Sequence, residues 1–264
     1  MARKPKNPAI DLDDGEAHTA SLARFMSQKA TFAMATFWIV GHSPLIVHSW
    51  SEKAKREMLQ KQVKATKAGK AARQPEQEFA DSLYMMKTKA GDDAYGFPCT
   101  AVKKCMLSAA HKDKGIPRDT VMRSVWLIAP FVRVRTALDG AICDLPLVRL
   151  WGSDPEMRED MVRIGAGLTK TANLAYRAQF RVWAMRIVAR YNSSVLTQDV
   201  ITALITDSGM SCGVGDWRNE KNGMFGSFHL ASADEEKAWE KYASGKGALP
   251  PPIYPDDDMM QAAE

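Results

Sequence analysis

The chain has no apolar run near the roughly 18 residues that cross a bilayer as a helix, which excludes a helical membrane span. Its opening, M-A-R-K-P-K-N-P, carries no apolar signal core, so a cytoplasmic protein is expected. Cysteine and histidine are scarce. Cys99, Cys105, Cys143 and Cys212 show no C-x-x-C spacing and the five histidines form no metal-like pair, which argues for buried, reduced thiols rather than a zinc site. The acidic residues show no paired-carboxylate spacing suited to two-metal chemistry. No metal, no cofactor and no catalytic residue are expected.

What is present is an ordinary globular composition. The 264 residues, 45% hydrophobic and 25% charged, suffice for one large domain or two small ones. A net charge of +5 is too small to argue for a nucleic-acid ligand by itself, but it is unevenly spread. Between residues 51 and 74 the cations Lys53, Lys55, Arg56, Lys61, Lys64, Lys67, Lys70 and Arg73 face only Glu52 and Glu57, a local net charge of +6. With so thin an apolar stripe this segment reads as a solvated surface helix or as a mobile basic arm against phosphates.

Taken in order, residues 1–29 are polar and read as a flexible arm. Residues 31–40, T-F-A-M-A-T-F-W-I-V, predict a strand broken by Gly41 and Pro44, after which Leu45 to Val47 dock on a core. Residues 79–87 alternate and predict a short strand. Thr100 predicts the cap of a helix with Val102, Cys105, Met106 and Ala109 on one face and Lys103 and Lys104 near its start, where cations oppose the helix dipole unless a phosphate binds. Residues 124–134 predict one strand with Pro130 at an edge or bulge, and 145–150 another. Residues 154–167 are charged and end in glycines, and the next stretch supplies Lys170, Tyr176, Arg177 and Phe180. In 181–191 Trp183, Met185, Ile187, Ala189 and Tyr191 share one strand face. A helix over 196–208 is capped by Thr197 and stopped by Gly209; a strand over 226–231 and one short helix in an acidic, Pro-rich tail follow.

Between that helix and strand lies C-G-V-G-D-W-R-N-E-K-N-G-M-F-G-S-F-H, residues 212–229. Gly213, Gly215, Gly223 and Gly226 surround Trp217, Arg218 and Lys221, pairing flexible backbone with cations and an aromatic ring. Helix before loop and strand after it is the reverse of a dinucleotide or P-loop fingerprint. Such a loop either turns the chain or lets a polyanion lie close to the sheet edge.

Three segments stand in a set order: S-P-L (Ser43, Pro44, Leu45), a P-x-T-x-x-K-K helix start (Pro98, Thr100, Lys103, Lys104), and a strand-helix-glycine-loop-strand unit closing on G-x-F (Gly226, Phe228). Together they resemble the RAMP superfamily of CRISPR-associated proteins, with departures. Lys104 stands where that family has glycine, the arginine at the helix end is replaced around His111 and Lys112, and the glycine spacing is longer. The same pattern is also expected in phage or prophage genomes outside CRISPR operons.

The resemblance implies an α+β fold: a modified ferredoxin-like (RRM-like) domain over residues 30–233 with an antiparallel sheet, the glycine-rich loop and a basic helical insertion at about 51–74, flanked by the 1–29 arm and a partly disordered 234–264 tail. It implies a non-catalytic protein that binds single-stranded RNA or DNA without regard to sequence and oligomerises along it as a filament or ring, beside other effector-complex subunits and with no membrane partner. Phosphates would meet Lys103, Lys104, Arg218, Lys221, Lys170 and Arg177, with Lys53, Arg56, Lys61 and Lys64 clamping from outside. Trp217 or Tyr176 would stack a base, unless both are packing residues. A phage single-strand DNA-binding or recombination protein, or a phage interaction protein without nucleic acid, is the alternative. An endonuclease would need His42, His48 or His111 as general base, and a lone histidine beside a strand end more often packs or faces solvent.

Overall fold

The computed structural model describes residues 30–49, 74–112, 114–135, 142–164 and 171–252. The basic segment with Lys53, Arg56, Lys61 and Lys64, the 1–29 arm, Lys170 and the last residues of the tail lie outside them.

The strand-rich opening becomes β1 (Phe32–Gly41), whose odd-numbered residues Ala35, Phe37 and Ile39 are buried. It pairs antiparallel along its length with β10 (Trp183–Asn192), from Phe32 opposite Asn192 to Val40 opposite Ala184. The alternation in β10 holds as read: Trp183, Met185, Ile187, Ala189 and Tyr191 all enter the main core. On the other side of β1 lies β11 (Phe228–Leu230), and on the other side of β10 lie β5 (Val125–Ile128) and β7 (Ile142–Gly152). The sheet continues through β4 (Asp93–Pro98) to β3 (Met85–Lys87), with β6 (Phe131–Arg135) paired to β7, and every pairing is antiparallel. A second antiparallel sheet joins β2 (Leu45–Val47), β9 (Thr171–Phe180) and β8 (Glu156–Ile164).

Counting helices in chain order, α2 (Cys99–Lys112) and α4 (Gln198–Ser211) cover the core face of the large sheet. The helical spacing of Val102, Cys105, Met106 and Ala109 puts all four in the core beside Ile201, Leu204 and Ile205. The Val, Met, Ile and Leu side chains among them contribute roughly 1.5–3 kcal/mol each when fully buried. The Thr197 Oγ1 accepts from the Val200 amide at 3.3 Å, the predicted cap.

Several expectations are corrected. Helix α2 begins at Cys99, straight out of β4, so Thr100 sits inside its first turn instead of capping it. Residues 79–87 are split: α1 (Pro75–Ser82) precedes β3, because Pro75 suits a first helical position and Glu76 and Glu78 complement its dipole. The single strand over 124–134 is the end of α3 (Arg118–Ser124), then β5 and β6, parted at Pro130, which has no amide to donate. Gly209 does not stop α4. It lies within the helix because a Cβ there would strike the Phe228 carbonyl oxygen and push β11 away.

Among the described residues the outer face of the large sheet is only half covered. Ser232 and Glu235 form a capping box that opens α5 (Ala233–Ala243), and its Trp239, 1% exposed, stacks over Trp38 with centroids 6.4 Å apart. The Tyr242 hydroxyl donates to the Gly152 carbonyl at 2.9 Å. This closes Trp38, Val40 and Ala184 from water, and among the described residues nothing covers the Phe32 end of β1. No helix among the described residues is long and apolar enough to cross a membrane.

Candidate nucleic-acid interface

The three motif segments meet in space. The Ser43 and Ser227 hydroxyls lie 2.8 Å apart, the His42 amide donates to the Ser227 carbonyl at 2.8 Å, and the Gly226 amide donates to the Pro44 carbonyl at 2.9 Å. From the core side the Trp183 indole N–H donates to the Ser43 carbonyl at 2.8 Å. The Asp216 amide reaches the Ile46 carbonyl at 3.0 Å, so the glycine loop is fastened to the S-P-L turn and the strand after it. Gly226 is at φ +65° with its α-carbon facing the Val214 carbonyl oxygen, a place where any side chain would collide. Trp217, at φ +54°, is held in the same left-handed region without glycine's freedom, by bonds from Phe225 and Gly223 amides to the carbonyls of Trp217 and Arg218. Gly213, Gly215 and Gly223 complete the loop.

Between this loop and the start of α2 runs a groove of about 300 Å³, lined by Pro98, Thr100 and Lys104 on one side, Gly215, Asp216, Arg218 and Glu220 on the other, with His48 and Tyr84 at its end. Its charges are mostly tied down. Arg218 Nε and Nη2 fork onto Glu220 Oε2 at 3.2 and 3.0 Å while Nη1 donates to the Gly215 carbonyl at 3.2 Å. The other Glu220 oxygen accepts from Ser108 Oγ at 2.8 Å, tying the loop to α2. Asp216 Oδ2 lies 3.2 Å from His48 Nδ1 and 3.4 Å from Arg177 Nε. Burial alone would raise the Asp216 carboxyl, but the His48 hydrogen bond and the charges of Arg177, His48 and Arg218 hold it below the usual carboxylate value. Burial, then the Asp216 charge, push the Tyr84 phenol up. Beneath the loop Cys105 donates to the Ser208 and Gly213 carbonyls at 3.0 and 3.2 Å; its hydrogen bond to Cys212 pulls that thiol down to about 6, and the pairing drives Cys105 upward.

The expected phosphate contacts separate into distinct settings. Lys104 is exposed on the groove wall and Lys221 is exposed on the loop, and neither makes an ion pair among the described residues. Lys103 is turned to α3, its Nζ donating to the Met122 carbonyl at 3.1 Å, and burial lowers its pKa. Arg218 is committed inside the loop. Arg177 is largely buried under Asp216 on β9, and Tyr176 is half-buried on the same strand. Trp217 is 43% exposed at the loop tip. The sequence reading named His48 only as a would-be general base and missed Tyr84, Asp216 and Glu220; the two acids in D-W-R-N-E were the available signal, since cations that close to acids in a loop are prone to pair.

No family model matches the sequence, and no curated protein matches it. Among solved structures, the chain is similar to one in the type III-B Cmr-beta assembly bound to cognate target RNA, at 10% identity and a TM-score of 0.40, over 84% of this chain and 66% of that one. This chain therefore spans just under two thirds of that relative's length. It is also similar to Cmr6 from Pyrococcus furiosus, at 10% identity and a TM-score of 0.37, over 77% of this chain and 100% of that one.

Proposed function

We propose that this chain is a non-catalytic protein that binds single-stranded nucleic acid through its backbone and assembles side by side along it, in the manner of a CRISPR effector backbone subunit. The observation that carries this reading is the glycine loop fastened beside the start of α2, which leaves Lys104, Lys221 and Trp217 exposed while the other groove charges are paired internally. Two lysines act as point charges for phosphates, and the Trp217 ring offers a face that any base can stack on. Arg218, through Glu220 and Gly215, keeps the loop in shape. Lys103 adds to the positive field around the strand, and the clamping role expected of Lys170 and the basic 51–74 segment falls on residues outside the described ones.

The fold reading that goes with this function is a ferredoxin-like core made of β1, α2, β5, β10, α4 and β11. Its support is the spatial order β11-β1-β10-β5, all antiparallel, with a helix between the first and second strands and another between the third and fourth.

The test is binding of labelled single-stranded RNA and DNA across a salt series. Length-dependent, sequence-independent binding is expected, with larger assemblies on longer strands by sedimentation. Lys104→Glu with Lys221→Glu should weaken every sequence alike and reduce the salt slope by roughly 0.7 per lost phosphate contact. Absence of binding at low salt overturns the reading.

A further inference from the structure

We propose that the bare half of the outer sheet face is a second single-strand nucleic-acid surface, on which Trp126 and Phe32 stack bases and Arg186 and Arg190 hold phosphates. This extends the reading above to the side of the sheet opposite the groove. The strand register lays the surface out in rows. Met34, Arg190 and Trp126 stand across β1, β10 and β5; Thr36, Val188 and Ile128 form the next row; Trp38 and Arg186 the one after. Side chains of alternate residues share a face, so all of these point away from α2 and α4, and α5 covers only the row of Trp38.

The apolar members are unusually open for sheet residues. Phe32 and Met34 are 48% and 63% exposed, Trp126 and Ile128 42% and 45%. An antiparallel sheet can leave one face in water, but an apolar patch on that face marks an interaction site, and α5 covers the other end of the same strands. Phe32 and Trp126 stand edge to face at 5.7 Å and 61°, and the Arg190 guanidinium lies 4.8 Å over the Phe32 ring. A guanidinium over an aromatic face can still donate from its edge, which suits both a phosphate and a neighbouring base.

Charge decides between occupants. The rows contain Arg186 and Arg190 and no acid. Two copies meeting symmetrically through this patch would bring arginine against arginine, whereas a polyanion with flat bases meets both features at once. The expected ligand is therefore a single strand with exposed bases, not a duplex, whose bases are already stacked.

The experiment uses the full chain, a labelled single strand of mixed sequence and an abasic strand of equal length. Four proteins are compared with wild type: Phe32→Ala with Trp126→Ala, Phe32→Leu with Trp126→Leu, Arg186→Glu with Arg190→Glu, and Lys104→Glu with Lys221→Glu. The leucine pair keeps apolar area and removes the flat rings. Both ring-removing pairs should weaken binding of the normal strand by roughly tenfold or more and leave the abasic strand unchanged, and the arginine pair should weaken both strands. Thermal midpoints check that each variant is folded. If the ring-removing pairs bind as wild type while the lysine pair does not, this inference fails and the groove reading stands. If wild type binds neither strand, both fail. Should the alanine pair change the sedimentation state with binding untouched, the patch joins protein to protein and the inference is overturned.

Discussion

The groove by the glycine loop and the bare patch on the outer sheet face hold similar side chains in opposite states. In the groove, Arg218 is forked onto Glu220, and Asp216 lies between His48 and Arg177, so most of the charge there holds the protein's own loop. On the sheet, Arg186 and Arg190 have no acid in their rows, and aromatic rings stand beside them in water. The richer motif is thus the more internally satisfied region. A cluster of cations in sequence measures how much positive charge a segment brings, and the tertiary pairing decides how much of it remains for a ligand.

The largest expected effect comes from breaking the groove alone. Gly226→Ala forces a side chain against the Val214 carbonyl in a left-handed backbone, and should cost about 2–4 kcal/mol in urea unfolding. Binding that depends on Lys104 should fall with it in the folded fraction, while binding sensitive to Trp126 persists. Equal loss of both would show that the two regions are not separable.

A smaller effect sharpens the contrast. Glu220→Gln removes the charge that holds Arg218, and should cost about 1–2 kcal/mol of stability while steepening the salt dependence of binding, because Arg218 becomes available to phosphate. A salt slope identical to wild type would mean that the guanidinium stays in the loop without its partner.

The smallest effect concerns pH. Asp216 has its folded pKa depressed, so its contribution is present above the ordinary Asp value near 4 and is lost as pH falls through the lower folded value. Urea stability of the wild type should therefore drop more steeply than that of Asp216→Asn below about pH 4. Superimposable curves would remove Asp216 from the loop's support. Trp126-dependent binding should stay level between about pH 5 and 8, since the patch rows hold neither acid nor histidine.

The sequence was informative where one period repeated without interruption. Strand β10 shows its buried face in five alternating residues, α2 shows its stripe at helical spacing, and Thr197 announces α4. It was silent on β8: E-M-R-E-D-M-V-R-I has charges on alternating and adjacent positions, and nothing local marks it as the partner of β9 through nine paired residues. Gly209 misled because a helix stop and a site of close backbone approach call for the same residue. The groove was legible as a convergence of three motifs, but the commitment of Arg218 to Glu220 depends on the turn between them. The sheet patch left no motif at all, since Phe32, Trp126 and Arg190 are far apart in the chain and meet only through register.

The capping box at Ser232 and Glu235 has a consequence for solubility. By starting α5 it places Trp239 over Trp38, and a chain cut before Ser232 would add Trp38, Val40 and Trp151 to the already open Phe32, Met34 and Trp126. That would join two apolar areas into one continuous surface of the kind that drives self-association and precipitation. Helix α5 thus acts as a built-in shield, one that any version of this protein shortened before it would have to replace.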